Sequence, residues 1–345
     1  MRFEIRQLEQ HEIPWRELDA FPDRVVFQTR EWLSFIAASH GGTPVVAKIR
    51  DGNTLAGYFS GVVVRKFGLR ILGSSFPGWT TPYIGFNIRP GYSRLEMLQP
   101  LKEWAFRVLG CAHLEVSDRC FLPEDGQTAG LTAGTYETYK SDLTRSEDDL
   151  FKGMESACRR CIRKAEKSGV VIQEANDPAF ADDYYAQLKD VFAKQGKLPT
   201  YPIERVRLLL DHLLPTGHLL AVRALGPDGR CIATGLYPGM NDVAFFWGNG
   251  SWRADQHLRP NECLHWYAMR YWKARGVKLF DWGGGGTYKE KYGVEPYVVP
   301  WLYKSKYPLL TTVRNETRAL FYKSQRLIGW LRGLQQRPAV ASTDS

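Results

Sequence analysis

Near the end of the 345-residue chain, the stretch "FDWGGGGTYKEKYG" sets a carboxylate, Asp281, just ahead of Gly283 to Gly286 and follows them with Tyr288 and Lys289. Bare backbone of this kind does one of two things. It presents a nest of N–H groups to an anion, or it lets a strand turn where Cβ atoms would collide. Asp281 reads as a proton acceptor at the end of a strand or as a cap on the N–H groups of its own turn. Lys289, just past the turn, has the charge to neutralise a phosphate or polarise a carbonyl; a solvated lysine is the plain alternative. The run is neither a Walker loop nor a G-x-G-x-x-G turn. No G-x-S-x-G elbow and no Cys/His pair supplies a nucleophile elsewhere. Without an enzyme nucleophile, chemistry at this run rests on positioning and on donors aimed at developing negative charge.

Other residues offer binding rather than bond-making. "SEDDLFKGMESACRRCIRKAEKSG" opens with a capping box on Ser146 and Asp149 and reads as one helix ending at Gly169. Leu150, Met154, Cys158, Cys161 and Ala165 share its apolar face. Arg159 and Arg163, one turn apart at the border, either grip phosphates or belong to an ordinary basic face. The Cys158–Cys161 spacing has no second cysteine pair to complete a metal site. Trp32, Trp79, Trp247, Trp252 and Trp266 line a cleft or fill a core. Asn261 follows Pro260 at a helix start, where free N–H groups can receive phosphate. The Gly/Pro/aromatic stretch from Ser74 to Phe86 suits a loop at the lip of a site.

The elements that position these residues are repeated. "EWLSFIAASHGGTPVVAKIRDGNTLAGYFSGVV" reads as helix, Gly break, strand Val45–Ile49, Asp51-Gly52 turn and strand Leu55–Val64. "ERVRLLLDHLLPTGHLLAVRALGPDGRCIATGLYPGM" repeats that order, with strands Leu219–Ala224 and Cys231–Tyr237 around Asp228-Gly229. Farther along, each half has an amphipathic helix stopped by glycine, Gly110 or Gly276, and then a strand, Ala112–Val116 or Val277–Trp282. Two shared units at similar offsets indicate duplication.

Composition sets the outer bounds. Hydrophobic residues make up 44% and aromatics 13%, as in a globular protein with full cores. Six cysteines suit a reduced compartment. A charged N-terminus without an apolar signal core, and the lack of a membrane-length apolar run, point to a cytoplasmic protein, with peripheral attachment at the inner face of the membrane open. The net charge of +9 points to an anionic partner. The basic amphipathic stretch 311–337 reads as a C-terminal helix that packs on the domain or docks on an anionic membrane, and 338–345 as a disordered tail.

Helix, hairpin, further strand, helix, strand is the order of a GNAT-type acyltransferase domain. In the second half its splayed strands would be Asp242–Gly250 and Val277–Trp282; the usual Q/R-x-x-G-x-G/A pyrophosphate loop is absent. Four segments together resemble the Fem-like aminoacyltransferases of peptidoglycan synthesis and the wider FemAB-related group of the GNAT superfamily. They are "FQTREWLSFI" with Gln28 and Trp32, "RRCIRKAEKSGVVI", "LRPNECLHWYAMRYWKARGVKLFDWGG", and "YKEKYG" with Lys289 at an F-K position. The resemblance spans roughly residues 25 to 305 and is specific only in combination. The coiled-coil arms that some members insert for tRNA are missing.

The resemblance implies an α/β fold of tandem duplicated GNAT-like (acyl-CoA N-acyltransferase) domains with mixed sheets, at 1–140 and 141–310, ahead of the C-terminal helix. It implies transfer of an acyl or aminoacyl group to an amine of a peptidoglycan or polysaccharide precursor. The donor would be acyl-CoA or aminoacyl-tRNA, with no metal. Asp281 and Lys289 are then expected to be catalytic, and Trp32, Arg159, Arg163, Trp247, Asn261, Gly283, Gly284 and Tyr288 to bind substrate. A noncatalytic, membrane-associated binding protein of polysaccharide assembly is the alternative.

Overall fold

The computed structural model describes residues 3–76, 78–193, 196–307 and 310. The expected C-terminal helix at 311–337 and the tail at 338–345 lie outside them. Strand β1 (Phe3–Gln7) pairs antiparallel with β2 (Thr43–Asp51), which turns into β3 (Thr54–Lys66) and β4 (Leu69–Gly73). The short β5 (Gly85–Ile88) adds to β3, and β6 (His113–Ser117) lies parallel to β4. β7 (Thr132–Asp142) then leaves this half; the boundary expected at residue 140 falls inside it.

The second half repeats the plan. β8 (Val171–Glu174), β9 (Leu219–Leu225), β10 (Cys231–Met240) and β11 (Val243–Phe245) run antiparallel in turn, β12 (Gly248–Ser251) adds to β10, and β13 (Leu279–Asp281) lies parallel to β11. β14 (Glu295–Ser305) returns to the first half. The full order is β1-β2-β3-β4-β6-β14-β7-β13-β11-β10-β9-β8. Each half has thus exchanged a strand: β14 sits against β6, and β7 against β13, both antiparallel. The Asp51-Gly52 and Asp228-Gly229 hairpins occupy equivalent places, joining the second and third strands from each sheet edge.

The helices are α1 (Trp15–Asp19), α2 (Arg30–His40), α3 (Arg94–Glu103), α4 (Asp125–Thr128), α5 (Glu147–Gly153), α6 (Ser156–Lys167), α7 (Phe180–Ala193), α8 (Ile203–Leu213) and α9 (Pro260–Ala274). α2 and α8, the equivalent helices ahead of the two hairpins, pack on each other, so one core cluster joins Trp32 and Phe35 to Leu209 and Leu213 across the halves. Left-handed glycines end these units, at Gly41, Gly110, Gly217 and Gly276.

Two expected elements are broken. The helix read from Ser146 to Gly169 is α5 and α6, separated at Met154 and Glu155, which are extended. The segment after Lys291 docks into that break: Glu155 N–H donates to Lys291 O at 2.9 Å, and the Cα of Gly293 lies too close to Gly153 O for any Cβ. The strand read from Asp242 to Gly250 is β11 and β12, interrupted at Phe246 and Trp247, where the sheet opens.

Candidate active site

The C-terminal ends of both parallel pairs open onto one cavity of about 700 Å³. Ser75 lies beyond β4, Ser117 ends β6, Phe246 and Trp247 follow β11, and Trp282, Gly283 and Gly284 follow β13. Tyr136 of β7 and Trp301 of β14, the exchanged strands, complete the wall. The loop from Ser74 to Phe86 contributes Phe76, Thr80, Thr81 and Pro82, which puts it at the expected lip. The ends of parallel strands are where open α/β sheets bind ligands, and the volume suits a small-molecule group. Among the described residues, no Cys, His, Lys, Asp or Glu lines the wall.

Behind the wall, the glycine loop is held from one side. The Lys289 ammonium donates to the carbonyls of Trp282 at 2.8 Å and Gly284 at 2.9 Å, and to that of Gly283. Three acceptors require three N–H donors, so this geometry is that of the charged form. Burial pushes its pKa down to about 8, while nearby Asp281 holds it up. In a trans peptide N–H and C=O point opposite ways. Carbonyls of Gly283 and Gly284 turned toward Lys289 therefore turn the N–H groups of Gly284 and Gly285 away from it. Neither N–H has a partner among the described residues. Gly283 and Gly284 have φ of +55° and +54°, and a Cβ on Gly283 would meet Phe245 Cζ at 2.5 Å.

Asp281 anchors the start of the loop. Its Oδ1 accepts from Gly283 N–H at 2.8 Å and Thr138 Oγ1 at 3.4 Å; its Oδ2 accepts from Tyr297 OH at 2.5 Å and Tyr83 OH at 3.2 Å. Burial raises the Asp281 pKa, against the pull of these donors. The expectation that Asp281 and Lys289 face substrate is therefore revised: both are buried, both are spent on protein partners, and neither lies on the cavity wall.

Of the other expected residues, the cavity gathers Trp247, Gly283 and Gly284. Trp32 is core; its Nε1 donates to Thr81 Oγ1 at 3.1 Å and so supports the wall from behind. Arg159 caps the end of α5, donating to Lys152 O at 2.7 Å and to Met154 O, which explains why it is not a free phosphate grip. Arg163 stacks over Phe151 in a separate surface groove. Asn261 is tied to β12, accepting from Asn249 Nδ2 at 3.0 Å and donating to Ser251 Oγ at 3.2 Å. The first turn of its helix already holds the Glu262 carboxylate, paired with Lys291 at 2.6 Å. Tyr288 is half exposed and lies outside the wall.

Arg205 was not anticipated. Only 6% exposed, it sits against the Trp247 and Tyr201 rings, 5.6 and 5.1 Å from guanidinium carbon to centroid. It donates to Trp79 O in the lip loop, and its Nε has no partner. No carboxylate pairs with it among the described residues, and burial pushes its pKa down to about 10. The signal in sequence is an arginine in register with Leu209 and Leu213 on the apolar face of α8. His40 is held neutral beside it, its pKa lowered to about 4 by burial and then by Arg205.

Two like halves, each splayed at a parallel pair, define a tandem GNAT-like fold. Residues 153–296 match the family described as "Acetyltransferase (GNAT) domain". Among solved structures, FemX is similar with a TM-score of 0.70 at 12% identity, over 86% of this chain and 96% of that one. A tandem GNAT protein from the clavulanic acid biosynthesis pathway gives 0.51 at 12%, over 89% and 99%. The C-terminal domain of a putative lysylphosphatidylglycerol synthetase from Agrobacterium fabrum gives 0.52 at 11%, over 75% and 84%. At such identities the likeness is one of fold. No curated protein matches the sequence.

Proposed function

We propose that the protein is an N-acyltransferase that moves an acyl or aminoacyl group from a thioester or tRNA ester to an amine of a cell-envelope glycan or peptidoglycan precursor. Two GNAT-like halves, joined through the exchanged strands β7 and β14, would form the site between them. One observation carries the reading: a cavity at the ends of both parallel pairs, bordered by a loop whose carbonyls are gathered behind it by Lys289, leaving N–H groups on the other side. Preorganised N–H groups stabilise the oxyanion of acyl transfer. The described wall has serine and threonine hydroxyls but no thiol, and no histidine, lysine or carboxylate to activate them, so the acceptor amine attacks the acyl carbonyl directly. The tetrahedral intermediate expels the thiol or the ribose hydroxyl, and the amine's proton leaves through water.

In this mechanism Lys289 and Asp281 are positioning residues. Arg205 lies off the cavity wall, against the Trp247 ring; in this reading it supplies positive charge for a phosphate or carboxylate of substrate only once Trp79 O is displaced from the guanidinium. Trp247 and Trp282 cover the acyl path with apolar surface. The FemX and lysylphosphatidylglycerol synthetase likenesses support aminoacyl transfer as the class.

The test is incubation of purified protein with acyl-CoA or aminoacyl-tRNA, each with and without an amine-bearing precursor, following free thiol or deacylated tRNA. Acceptor-dependent release from one donor is expected, and identifies it. Precursor binding without release from either would leave the noncatalytic binding protein instead.

A further inference from the structure

The turn between β3 and β4 consists of Phe67 and Gly68, with Lys66 paired to Leu69. Both turn residues have positive φ, +51° and +78°. Asn-Gly suits such a turn, whereas phenylalanine rarely adopts that conformation. The ring is 98% exposed, so no packing offsets the strain. Immediately behind it Arg65 and Arg70 are direct cross-strand partners, a like-charge pairing that opposes folding.

The same edge of the sheet continues the pattern. Arg70 O accepts from Ala112 N–H at 2.8 Å, and Ala112 O from Lys306 N–H at 2.9 Å, which puts Arg70 and Lys306 in one transverse row. Tyr307, 57% exposed, follows Lys306, and Val108, 71% exposed, lies just before the Gly110 turn into this row. None of Arg65, Lys66, Arg70 and Lys306 forms an ion pair among the described residues.

We propose that this hairpin docks the protein on an anionic lipid bilayer, with Phe67 inserted below the headgroups and the four bases among them. The order of groups along the protrusion selects the partner. A polyanion such as RNA presents its charge outermost and would be met by bases at the tip. A bilayer presents charge first and hydrocarbon about 5–10 Å beneath, which matches an aromatic tip backed by arginine and lysine. Each base near such a surface strengthens binding roughly fivefold, and screening by salt weakens it.

The experiment is co-sedimentation of the full chain with vesicles of phosphatidylglycerol and phosphatidylcholine, or of phosphatidylcholine alone. Wild type and Phe67→Trp are expected to bind the anionic vesicles alike, less well at high salt. Phe67→Asn is expected to bind about tenfold or more weakly while melting higher, because asparagine relieves the turn. Loss of binding in a variant that is more stable excludes misfolding as its cause. Equal binding by Phe67→Asn, or no preference of wild type for the anionic vesicles, would overturn the proposal. So would light scattering in which wild type self-associates without lipid and Phe67→Asn does not, since the occupant would then be a second copy.

Discussion

Lys289 donates to the carbonyl of Gly284 at 2.9 Å, and through it and the two preceding carbonyls fixes the direction of the peptide groups beside the cavity. The lysine thus acts on the backbone and not on substrate. Lys289→Met would leave those carbonyls without donors. Loss of such charge-assisted bonds should lower stability by about 2–3 kcal/mol, with a fall of at least tenfold in kcat/KM. Thermal denaturation and steady-state kinetics check both. A variant with wild-type Tm and reduced kcat/KM would instead point to an ammonium that contacts substrate.

The same group sets a pH dependence. Its folded pKa of about 8 lies below the ordinary value of 10.5. Burial of the charge therefore opposes folding below pH 8, and between pH 8 and 10.5 the unfolded chain binds more protons, so this contribution to stability rises with pH. Activity runs the other way: neutral lysine has two donors for three carbonyls, so kcat/KM should decline through an apparent pKa near 8. Lys289→Arg should remove that decline. A wild-type profile with no alkaline limb, or one that Arg leaves unchanged, would place the titration elsewhere.

Arg205 is a buried cation with no carboxylate partner among the described residues, and its removal should separate stability from binding. Arg205→Met is expected to hold or raise the Tm, since an unpaired buried charge is replaced by apolar volume, while weakening an anionic substrate about tenfold or more. Calorimetric titration with the substrate identified by the donor assay measures the second effect. Unchanged affinity with a lowered Tm would make Arg205 a packing residue.

Gly283 and Gly284 offer a paired test. Alanine at Gly283 puts its Cβ 2.5 Å from the Phe245 ring, whereas at Gly284 it meets nothing within 4 Å and bears only the strain of positive φ. Gly284→Ala should cost about 1 kcal/mol and Gly283→Ala clearly more, with distortion of the N–H groups. Equal Tm values for the two would mean the loop is looser than the geometry requires.

The sequence made the repeated hairpins legible because Asp-Gly turns and glycine helix stops are local signals, and the structure puts both hairpins at matching places in the sheet. It did not reveal the exchange of β7 and β14, since antiparallel pairing of Tyr297 with Thr138 depends on long-range register that no local pattern encodes. The break at Met154 was hidden for a similar reason: residues 291–293 create it from outside the helix. At the site, the glycine run borders the cavity, but the partners of Lys289 are backbone carbonyls, which every residue has and no motif marks. Tyr83 and Tyr297, which hold Asp281, come from distant strands and loops and carry no motif. Lys291, in the same segment, pairs with the buried Glu262 at 2.6 Å, so Lys291→Ala should be destabilising.

The central claim is direct transfer to an amine over the glycine loop, and mass spectrometry of acceptor and protein after reaction with the productive donor tests it most directly. The acceptor should gain the acyl mass in a linkage stable to neutral hydroxylamine, as an amide is. The protein should carry no acyl group at any time point, and Lys289→Met should slow product formation at least about tenfold. An acyl group trapped on the protein, or product formed as fast by Lys289→Met as by wild type, would contradict it.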